Sequence, residues 1–470
     1  MKQFKLVTTY KQQLADTLTP VSVYLKLRDI YPYSILLESS DYHASDNSFS
    51  YICCQPIASI QLKHTTLTQT FPDGSILENT VESNEDISAY LEDFKSKFDV
   101  EEQDFKFIHN GLFGFTAYDA VSHFEEVNVT KKEGDLDVPD LYYAIYQNII
   151  AINHFNNEAY IFEHLSPHKE SNQGKIIQLL QNQILATYPF QSLGEISSNL
   201  SDEEFRDMVI QAKQHCQRGD VFQLVLSRRF SQQFEGDEFE VYRSLRHINP
   251  SPYLFYFDYG NFKIFGSSPE AQLVIDDNRA EIHPIAGTFK RTGNDDKDRE
   301  LAQELSEDPK ENAEHVMLVD LARNDLSRHG NQVKVETYKD IQFFSHVIHL
   351  VSKVTSHIYK GTSTFDIVAD TFPAGTLSGA PKPKALELIE KYEPVNRSLY
   401  GGAIGFMDFS GNYNHAIIIR TFVSKNHKLH LQAGAGIVST SNEDNEVQEV
   451  YNKLGALTKA ISLANSNPSN

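Results

Sequence analysis

Near the carboxyl end of the chain, three apolar segments follow one another with very short connections. The segments LYGGAIGFMDF, YNHAIIIRTFVS and LHLQAGAGIV are separated only by SGN and KNHK. Connections this short join neighbouring strands in hairpins, whereas parallel strands need a crossover of about a dozen residues or more. The sequence therefore predicts an antiparallel meander, and the helical stretches elsewhere favour an α+β fold over a doubly wound parallel sheet.

The chain divides into two regions around one polar stretch. Residues 1–192 mix short strand and helix patterns, and residues 200–465 hold longer strands such as VFQLVLSRRF, YLFYFDY and NFKIFGSS. The stretch QSLGEISSNL, 191–200, is typical of a linker. At Ser201 the sequence SDEEF has the capping-box pattern, which predicts a helix that ends near Arg218.

Charge and cysteine content exclude several classes of function. The 470 residues carry a net charge of −22, which disfavours binding to nucleic acid. No apolar run approaches the ~20 residues of a membrane helix, and the first residues lack the apolar core of a signal peptide. Cys53, Cys54 and Cys216 have no metal-type spacing, so we expect reduced thiols. The sequence predicts a cytoplasmic protein that binds neither nucleic acid nor membranes.

Two pairs of glutamates, each pair three residues apart, lie in predicted helices. Glu311 and Glu314 share a helix face with leucines, where a carboxylate is costly unless it meets a cation. Glu446 and Glu449 lie in a second helix, and Lys453 follows Glu449 by one turn. Glu311 alone also fits a helix cap, and Glu449 with Lys453 also fits a solvated ion pair. Together, the oxygen donors predict one site for a hard cation, Mg²⁺ or Ca²⁺.

An arginine and several glycine-rich segments indicate an anionic ligand. In AIIIRTF, alternation puts Arg420 on one face with Ala416, Ile418 and Phe422. Arg420 then lies either at the edge of the strand or in a two-point contact with a carboxylate. The segments GTLSGAPK, GGAIG and AGAGIV supply glycines that let the backbone approach a ligand closely. None of them has the pattern of a P-loop or a convincing dinucleotide-binding fingerprint.

Taken together, these segments resemble the chorismate-utilising enzymes. GSSPE, PIAGT, EHVMLVDLARNDL, HLVS, GTLSGAPK, YGGAIG, IIIRT and QAGAGIV occur in the order of that family and span most of residues 200–465. Residues 1–192 show a weaker similarity, which is limited to LLESS and GLFGFTAYDA. They are expected to form an N-terminal segment of the anthranilate-synthase type. The resemblance implies an α+β fold with a two-layered antiparallel β-sandwich core and helices packed outside.

The resemblance also implies a substrate, chorismate, that carries two carboxylates and binds together with Mg²⁺. By position, Glu314 and Glu449 are the expected metal ligands, and Glu311 and Glu446 are their companions. Arg420 and Lys453 are expected to hold the substrate carboxylates. The other expected contacts with the substrate are Gln223, Ala286, Gly287, Thr288, Thr376, Tyr400, Gly434, Ala435 and Gly436.

Two positions distinguish the members of this family. Aminodeoxychorismate synthases usually carry a lysine in PIKGT that forms an adduct with the ring, and here that position is Ala286. Isochorismate and salicylate synthases carry a water-activating lysine at the position of Gln223. An amide is no general base near neutral pH, and a methyl group is no nucleophile. Ammonia is therefore the expected nucleophile, as in the large subunits of anthranilate synthases.

The reaction implied by this resemblance is the first committed step of tryptophan biosynthesis. Ammonia adds at C2 of chorismate while the C4 hydroxyl leaves, and loss of a proton and pyruvate then gives anthranilate. Glu270 is the expected acid for the leaving hydroxyl. His349 is the expected base, although it also fits a histidine of the core. Because the chain lacks a glutaminase nucleophile motif, we expect a separate glutaminase subunit to supply the ammonia.

A second group of residues resembles the site at which tryptophan exerts feedback inhibition in this family. It consists of Leu37, Glu38, Ser39, Pro252 and Tyr253. Three alternatives to the anthranilate reaction stay open at this point. They are a synthase that stops at 2-amino-2-deoxyisochorismate, an aminodeoxychorismate synthase without the usual lysine, and a catalytically silent regulatory subunit that binds tryptophan.

Overall fold

The structure, a computed structural model, describes residues 3–39, 48–82, 85–101, 103–167, 169–344 and 347–466. The strands of this part of the chain are β1 Phe4–Leu14, β2 Ile35–Glu38, β3 Phe49–Lys63, β4 Thr66–Thr70, β5 Ile76–Thr80, β6 Phe98–Val100, β7 Leu112–Thr116, β8 Leu141–Asn153, β9 Glu158–Leu165, β10 Phe190–Ser198, β11 Gln223–Gly236, β12 Tyr253–Asp258, β13 Phe262–Ser268, β14 Ala271–Asp276, β15 Arg279–Ile282, β16 Ile285–Lys290, β17 Gly330–Phe343, β18 Val347–Ile358, β19 Gly379–Ala380, β20 Ala403–Met407, β21 Tyr413–Ile417, β22 Thr421–Lys425 and β23 Lys428–Ile437. The α-helices are α1 Pro20–Leu27, α2 Ser88–Ser96, α3 Gln173–Gln181, α4 Asp202–Arg218, α5 Phe239–Ile248, α6 Asp295–Glu307, α7 Pro309–Ser327, α8 Thr364–Thr371, α9 Lys382–Tyr392 and α10 Glu443–Ser466. Short 3₁₀ helices cover Tyr118–His123 and Gly375–Leu377.

The strands form two antiparallel layers that share β3 and β8. One layer runs β10–β11–β23–β22–β13–β12–β2–β3–β8–β9–β1. The other runs from β3 and β8 through β7, β20, β21, β14 and β15 to β18, which also pairs with β16 and β17. Among the strand pairings in the described part of the chain, one is parallel, and it joins the short β6 to β1. The α+β antiparallel sandwich predicted from the sequence is confirmed.

Apolar side chains fill the space between the layers and cover both outer faces. Phe115 of β7 meets Phe262 of β13 edge to face at 6.1 Å between ring centroids, inside a cluster that draws on both layers. Helices α1, α3, α4, α5, α9 and α10 pack on the outside of the first layer, and α2, α7 and α8 on the outside of the second. No helix in the described ranges is long and apolar enough to span a membrane.

The polar stretch 191–200 is not a linker, and that prediction is wrong. Most of it belongs to β10, which pairs with β11 along Phe190–Ser198. An edge strand bonds through its backbone and leaves one edge exposed, so a polar, glycine-containing sequence can form it. The capping box at Ser201 is confirmed, because its side chain accepts the backbone N–H of Glu204 and helix α4 follows.

The middle strand of the predicted meander is broken in two at Arg420. Strand β21 pairs with β14 and β20 of one layer, whereas β22 pairs with β13 and β23 of the other. The chain therefore changes layer between them, and Arg420 has a left-handed backbone with φ of 51°. The Ser267 N–H donates to the Arg420 carbonyl at 3.1 Å, which fixes this turn. The predicted alternation from Ala416 to Phe422 is thus wrong at Arg420.

Candidate active site

A cavity of about 340 Å³ opens where β11, β16 and β23 meet helices α7 and α10. Side chains from distant parts of the sequence converge on it because the break between β21 and β22 and the turn after β13 point into the same space. The predicted site residues that line it are Gln223, Glu270, Ala286, Gly287, Glu311, Glu314, His349, Thr376, Tyr400, Arg420, Gly434, Gly436, Glu446, Glu449 and Lys453.

Two predicted contacts are not among the lining residues. Ala435 lies between two glycines of β23 that face the cavity, and alternation turns its methyl group to the opposite side. There it is fully buried in the core under the outer helices. Thr288 lies in β16, but its side chain is outside the part of the chain that the structure describes.

Glu270 carries a buried carboxyl group and lies directly before β14. Thr376 Oγ1 donates a hydrogen bond to Glu270 Oε1 at 3.0 Å, and the Glu270 carbonyl accepts the Ile417 N–H at 2.9 Å. Burial raises the pKa of Glu270 to about 8, against the opposing effects of the Thr376 hydrogen bond and the Lys453 charge. The carboxyl group is therefore largely protonated at neutral pH and can donate a proton into the cavity.

His349 of β18 is oriented by a bulge in the neighbouring strand. Gly287 interrupts the β16–β18 register with a left-handed φ of 70°, and its carbonyl lies 3.0 Å from His349 Nδ1. A carbonyl only accepts, so Nδ1 carries the proton and Nε2 keeps the basic lone pair. Burial lowers the pKa of His349, and the Arg420 charge lowers it further. The ring is thus held neutral, in the form that accepts a proton.

Arg420 and Lys453 are joined through the backbone on one wall of the cavity. Arg420 Nη1 donates to the Lys453 carbonyl at 2.8 Å, and Lys453 Nζ donates to the Gly434 carbonyl at 2.9 Å. Lys453 Nζ also lies 3.4 Å from Glu449 Oε1. Burial lowers the pKa of Arg420, and the Glu449 charge opposes this. This wall presents two cations side by side, which suits a ligand with carboxylates.

The four glutamates gather negative charge at the cavity mouth. Burial is the main cause that raises the pKa of Glu311 and of Glu446. The charge of Glu314 adds to the first shift, and the charge of Glu449 adds to the second. Lys310 partly offsets both. Within the described ranges, no three such side chains form a preformed metal cage. A hard cation held by one or two carboxylates, water and substrate fits this donor set.

The first turn of α7 explains how Glu311 reaches the cavity. Asp308 caps this helix, since its Oδ1 accepts the backbone N–H of Lys310 at 2.8 Å and that of Glu311 at 3.0 Å. Asp308 therefore supplies the side-chain cap, and Glu311 faces the cavity. The capping pattern and the site residue coexist on the same helix end.

The two positions that distinguish members of the resembled family both face the cavity. Gln223 Nε2 donates to Glu314 Oε1 at 2.7 Å, and Gln223 Oε1 is buried without a hydrogen bond from the described residues. A Cβ at Gly436 would lie 2.5 Å from Gln223 Nε2, so a larger residue there would displace the Gln223 amide. The Ala286 methyl lies on another wall. Neither position offers a basic or nucleophilic group.

Several lining residues were missed by the sequence reasoning. Gln432 precedes Gly434 by two residues on β23, so alternation along the strand would have found it. Lys310 lies one turn before Glu314 on α7 and faces the same space. Apolar contacts such as Leu318 and Ile419 carry no chemical signal of their own.

A second cavity, of about 210 Å³, brings together all five residues predicted for tryptophan. Glu38 accepts hydrogen bonds from Tyr242 at 2.6 Å and from Arg246 Nε at 2.9 Å. Aromatic rings also line this space: Phe49, Tyr51 and Phe406. The residues of this cavity are Leu37, Glu38, Ser39, Phe49, Tyr51, Pro252, Tyr253, Leu254, Phe255, Ile404, Gly405, Phe406, Asn414 and Ala416.

Comparison with known proteins identifies the family. A family model described as chorismate binding enzyme matches residues 32–459. The chain is 34% identical to an anthranilate synthase component 1 of Aquifex aeolicus, over 98% of this chain and 96% of that protein. It is 36% identical to one of Lactococcus lactis, over 96% and 98%. The crystal structure of anthranilate synthase component I from Streptococcus pneumoniae covers 95% of this chain and 99% of its own, with a TM-score of 0.78 and 30% identity. The chain belongs to the chorismate-binding enzyme family.

Proposed function

We propose that the protein is the synthase subunit of an anthranilate synthase, which converts chorismate and ammonia into anthranilate and pyruvate. The observation that carries this proposal is a cavity lined by a buried carboxyl group, Glu270, and by neither of the lysines that supply other nucleophiles in the family. Relatives named anthranilate synthase component 1 match almost the whole chain. Their length and similarity support the same reaction here.

Glu270 acts as the general acid of the first step. Its proton passes to the C4 hydroxyl, so the group leaves as water rather than as hydroxide. Ammonia adds at C2 in the same step and loses one proton, the two conjugated ring double bonds shift to C1=C6 and C4=C5, and the C4–O bond breaks. The Thr376 hydrogen bond fixes the carboxyl group in the cavity, and burial keeps the proton on it at neutral pH.

His349 acts as the base of the second step. Its Nε2 takes the C2 proton, and the electron pair moves into the ring as the enolpyruvyl ether leaves as pyruvate. The hydrogen bond from Nδ1 to the Gly287 carbonyl holds the ring in the tautomer that this step requires. Aromatisation supplies the driving force.

Arg420 and Lys453 orient the substrate by its carboxylates. A guanidinium offers two parallel N–H donors, and the ammonium group of Lys453 adds a second cation on the same wall. Tyr400, Thr376 and the backbone at Gly434 and Gly436 complete this wall. The glycines let the ring approach β23 closely.

Mg²⁺ is the cation that we propose for the mouth of the cavity. Glu314 and Glu449 would hold it, and Glu311 and Glu446 would orient its water ligands. Burial raises the pKa of Glu311 and of Glu446, and the charges of Glu314 and Glu449 add to this, so a divalent ion would favour the charged forms of these carboxylates. When bound, the ion supplies charge neutralisation for the ring carboxylate.

We propose that a separate glutaminase subunit supplies the ammonia from glutamine. A nucleophilic cysteine needs a lowered pKa, whereas burial raises the pKa of Cys53, of Cys54 and, to about 11, of Cys216. These free thiols are therefore poor nucleophiles, and they fit the proposed cytoplasmic location. The synthase and glutaminase activities are thus divided between two chains.

The isolated chain is expected to make anthranilate with an ammonium salt and to make none with glutamine. Addition of a glutaminase subunit is expected to restore the glutamine-dependent reaction. Anthranilate fluorescence measures both rates, and boiled protein is the control. Turnover with glutamine by the isolated chain would contradict the division of activities.

We also propose that tryptophan binds in the second cavity and inhibits the synthase. An indole ring fits the aromatic walls, and Asn414 Oδ1 is a buried acceptor with no hydrogen bond from the described residues. The cavity is connected to the active site through β21, because Ala416 lines it and the next residue, Ile417, bonds to Glu270.

Replacement of Asn414 with leucine is expected to weaken inhibition by tryptophan at least tenfold. A leucine side chain cannot accept a hydrogen bond. A polar group of the ligand that is left without its hydrogen-bond partner costs about 1–3 kcal/mol of binding free energy. The uninhibited rate is expected to stay unchanged. The measurement is the tryptophan concentration that halves the rate, with Asn324→Leu on the exposed face of α7 as control. Equal inhibition of Asn414→Leu and wild type would place tryptophan elsewhere.

A further inference from the structure

A buried ion pair between Glu393 and Arg397 lies behind one wall of the active-site cavity. Arg397 is 2% exposed, and its Nε and Nη2 donate to the two oxygens of the Glu393 carboxylate at 2.9 and 2.6 Å. The same carboxylate accepts the backbone N–H of Ser227 at 2.8 Å and its hydroxyl at 2.9 Å. Neither member of the pair is among the residues that line the cavity, so the pair acts on the reaction only through its neighbours.

Stability alone does not account for this ion pair. Taking two charges out of water is costly, and the replacement of such a pair with apolar residues is often neutral or stabilising. An arginine fork held by a carboxylate does, however, fix geometry, because its N–H donors point in set directions. The other contacts of the Arg397 guanidinium therefore indicate what the pair holds in place.

The guanidinium of Arg397 holds two backbone carbonyls of the cavity wall. Its Nη1 donates to the Leu377 carbonyl at 2.6 Å, and its Nη2 donates to the Val225 carbonyl at 2.8 Å. Leu377 and Val225 both line the cavity. One side chain thus fastens strand β11 to the 3₁₀ helix Gly375–Leu377.

This 3₁₀ helix carries the residue that bonds to the proposed acid. Thr376 directly precedes Leu377, and its Oγ1 donates to Glu270 Oε1 at 3.0 Å. Because Arg397 fixes the carbonyl of the next residue, it also fixes the direction in which the Thr376 hydroxyl points. A shift of the 3₁₀ helix would lengthen the bond to Glu270 and allow its carboxyl group to rotate.

Two aromatic rings keep the guanidinium of Arg397 in one orientation. Its Cζ lies 4.6 Å from the centroid of the Tyr118 ring and 5.6 Å from that of the Tyr400 ring. Tyr400 itself lines the cavity. The fork is therefore held by a carboxylate, two carbonyls and two rings, which gives it the rigidity that a positioning role requires.

We infer that Arg397 is a positioning residue for the general acid, and that it acts through the 3₁₀ helix and Thr376 on Glu270. This inference rests on the proposed function, in which Glu270 protonates the leaving hydroxyl. Arg397 keeps the carboxyl group in the one direction from which its proton reaches the C4 oxygen. A misplacement of about 1 Å in a reacting group costs roughly 10²-fold in rate.

Replacement of Arg397 with lysine tests this role. Lysine keeps the positive charge beside Glu393, but its ammonium group lacks the planar fork that joins a carboxylate to two carbonyls. With saturating ammonium, kcat is expected to fall at least tenfold, while the KM for chorismate changes less than about threefold. Arg28→Lys is the matched control and is expected to keep the wild-type rate. Arg28 forks onto one carboxylate, that of Asp237, at 2.6 and 3.2 Å and is absent from the cavity lining.

The pH profile separates a positioning role from general damage to the fold. The Thr376 hydrogen bond lowers the pKa of Glu270, against the larger effect of burial. Loss of this bond in Arg397→Lys is therefore expected to move the alkaline fall of kcat/KM to higher pH, whereas Arg28→Lys keeps the wild-type profile. The infrared band of the protonated Glu270 carboxyl group, assigned by its absence from Glu270→Gln, reports the same shift without turnover.

The other charged or titratable groups of the cavity stay in place in this comparison. They are Lys310, Glu311, Glu314, His349, Tyr400, Arg420, Glu446, Glu449 and Lys453. Of these, Tyr400 lies against Arg397, and burial raises the pKa of Tyr400 to about 12, above the range of the titration.

A double-mutant cycle with Thr376→Val shows whether Arg397 acts through Thr376. Valine keeps the shape of threonine and removes the donor, so Arg397→Lys is expected to lower kcat by less than about twofold in that background. Additive losses, or an unchanged alkaline limb in Arg397→Lys, would overturn the role of Arg397 and leave the proposed reaction intact.

Two further outcomes are separable. If Arg397→Lys does not fold, Glu393→Asp draws the fork back by one methylene and is expected to give the same upward shift, and an unchanged profile there would overturn the role. Wild type that makes no anthranilate would overturn the proposed function. The infrared shift between wild type and Arg397→Lys would then still decide whether Arg397 positions Glu270.

Discussion

Replacement of Glu270 with glutamine is expected to reduce anthranilate formation by about 10²–10⁴-fold, the range of general acid catalysis. The amide keeps the shape of the side chain and can still bond to Thr376, but it has no acidic proton. Binding of chorismate is expected to change little. The measurement is kcat and KM for chorismate with saturating ammonium, with Glu304→Gln on the exposed face of α6 as control. A loss confined to KM would contradict the acid role.

The pKa of Glu270 predicts the direction in which the rate changes with pH. Burial favours the neutral form of Glu270 and raises its pKa to about 8, so the acid is available below that pH and is lost as the pH rises through it. At a constant concentration of free ammonia, kcat/KM for chorismate is expected to fall above about pH 8. The residual activity of Glu270→Gln is expected to lack this decline. A decline that persists in the variant would assign it to another group.

Replacement of Glu449 with glutamine is expected to abolish most activity and to weaken the binding of Mg²⁺ by at least 100-fold. The substitution removes the proposed metal ligand of α10, and the carboxylates of α7 cannot replace a ligand that α10 supplies. Chelation of the metal in wild type is expected to give the same loss, reversed by added Mg²⁺.

The control for this variant lies on the same helix. Glu443 of α10 pairs with Lys213 at 2.6 Å and is absent from the cavity lining, so Glu443→Gln changes the charge equally without touching the site. The readouts are the Mg²⁺ concentration for half-maximal rate and direct binding of Mg²⁺ by calorimetry. Equal Mg²⁺ affinity in Glu449→Gln and Glu443→Gln would refute the assignment of the ligand.

Local patterns predicted those parts of the fold that local forces decide. In the capping box of α4, the side chains of Ser201 and Glu204 accept each other's backbone N–H groups. A window of four residues is therefore enough to predict this helix start. The stretch 191–200 forms an edge strand because β11 offers backbone partners, and no local pattern carries that information. The break at Arg420 follows from the passage of the chain between two layers. Such tertiary causes lie outside any short window of sequence.

The sequence predicted the chemical groups of the site better than the directions in which the side chains point. Spacing of three identified Glu311 with Glu314 and Glu446 with Glu449, and all four face one cavity. The resemblance implied Ala435 as a contact, but the pleat of β23 turns its side chain away from the cavity. The pKa of Glu270 depends on burial by residues far away in sequence, so only the fold reveals it.

The most direct test is to identify the product made from chorismate and ¹⁵N-labelled ammonium by the purified, Mg²⁺-loaded chain. The account predicts ¹⁵N-anthranilate and pyruvate in equal amounts, seen by mass and by fluorescence. A non-aromatic 2-amino product that keeps its enolpyruvyl group, or the 4-amino isomer, would contradict the proposed reaction. No consumption of chorismate by folded protein that binds tryptophan would contradict the enzyme itself and leave a regulatory subunit.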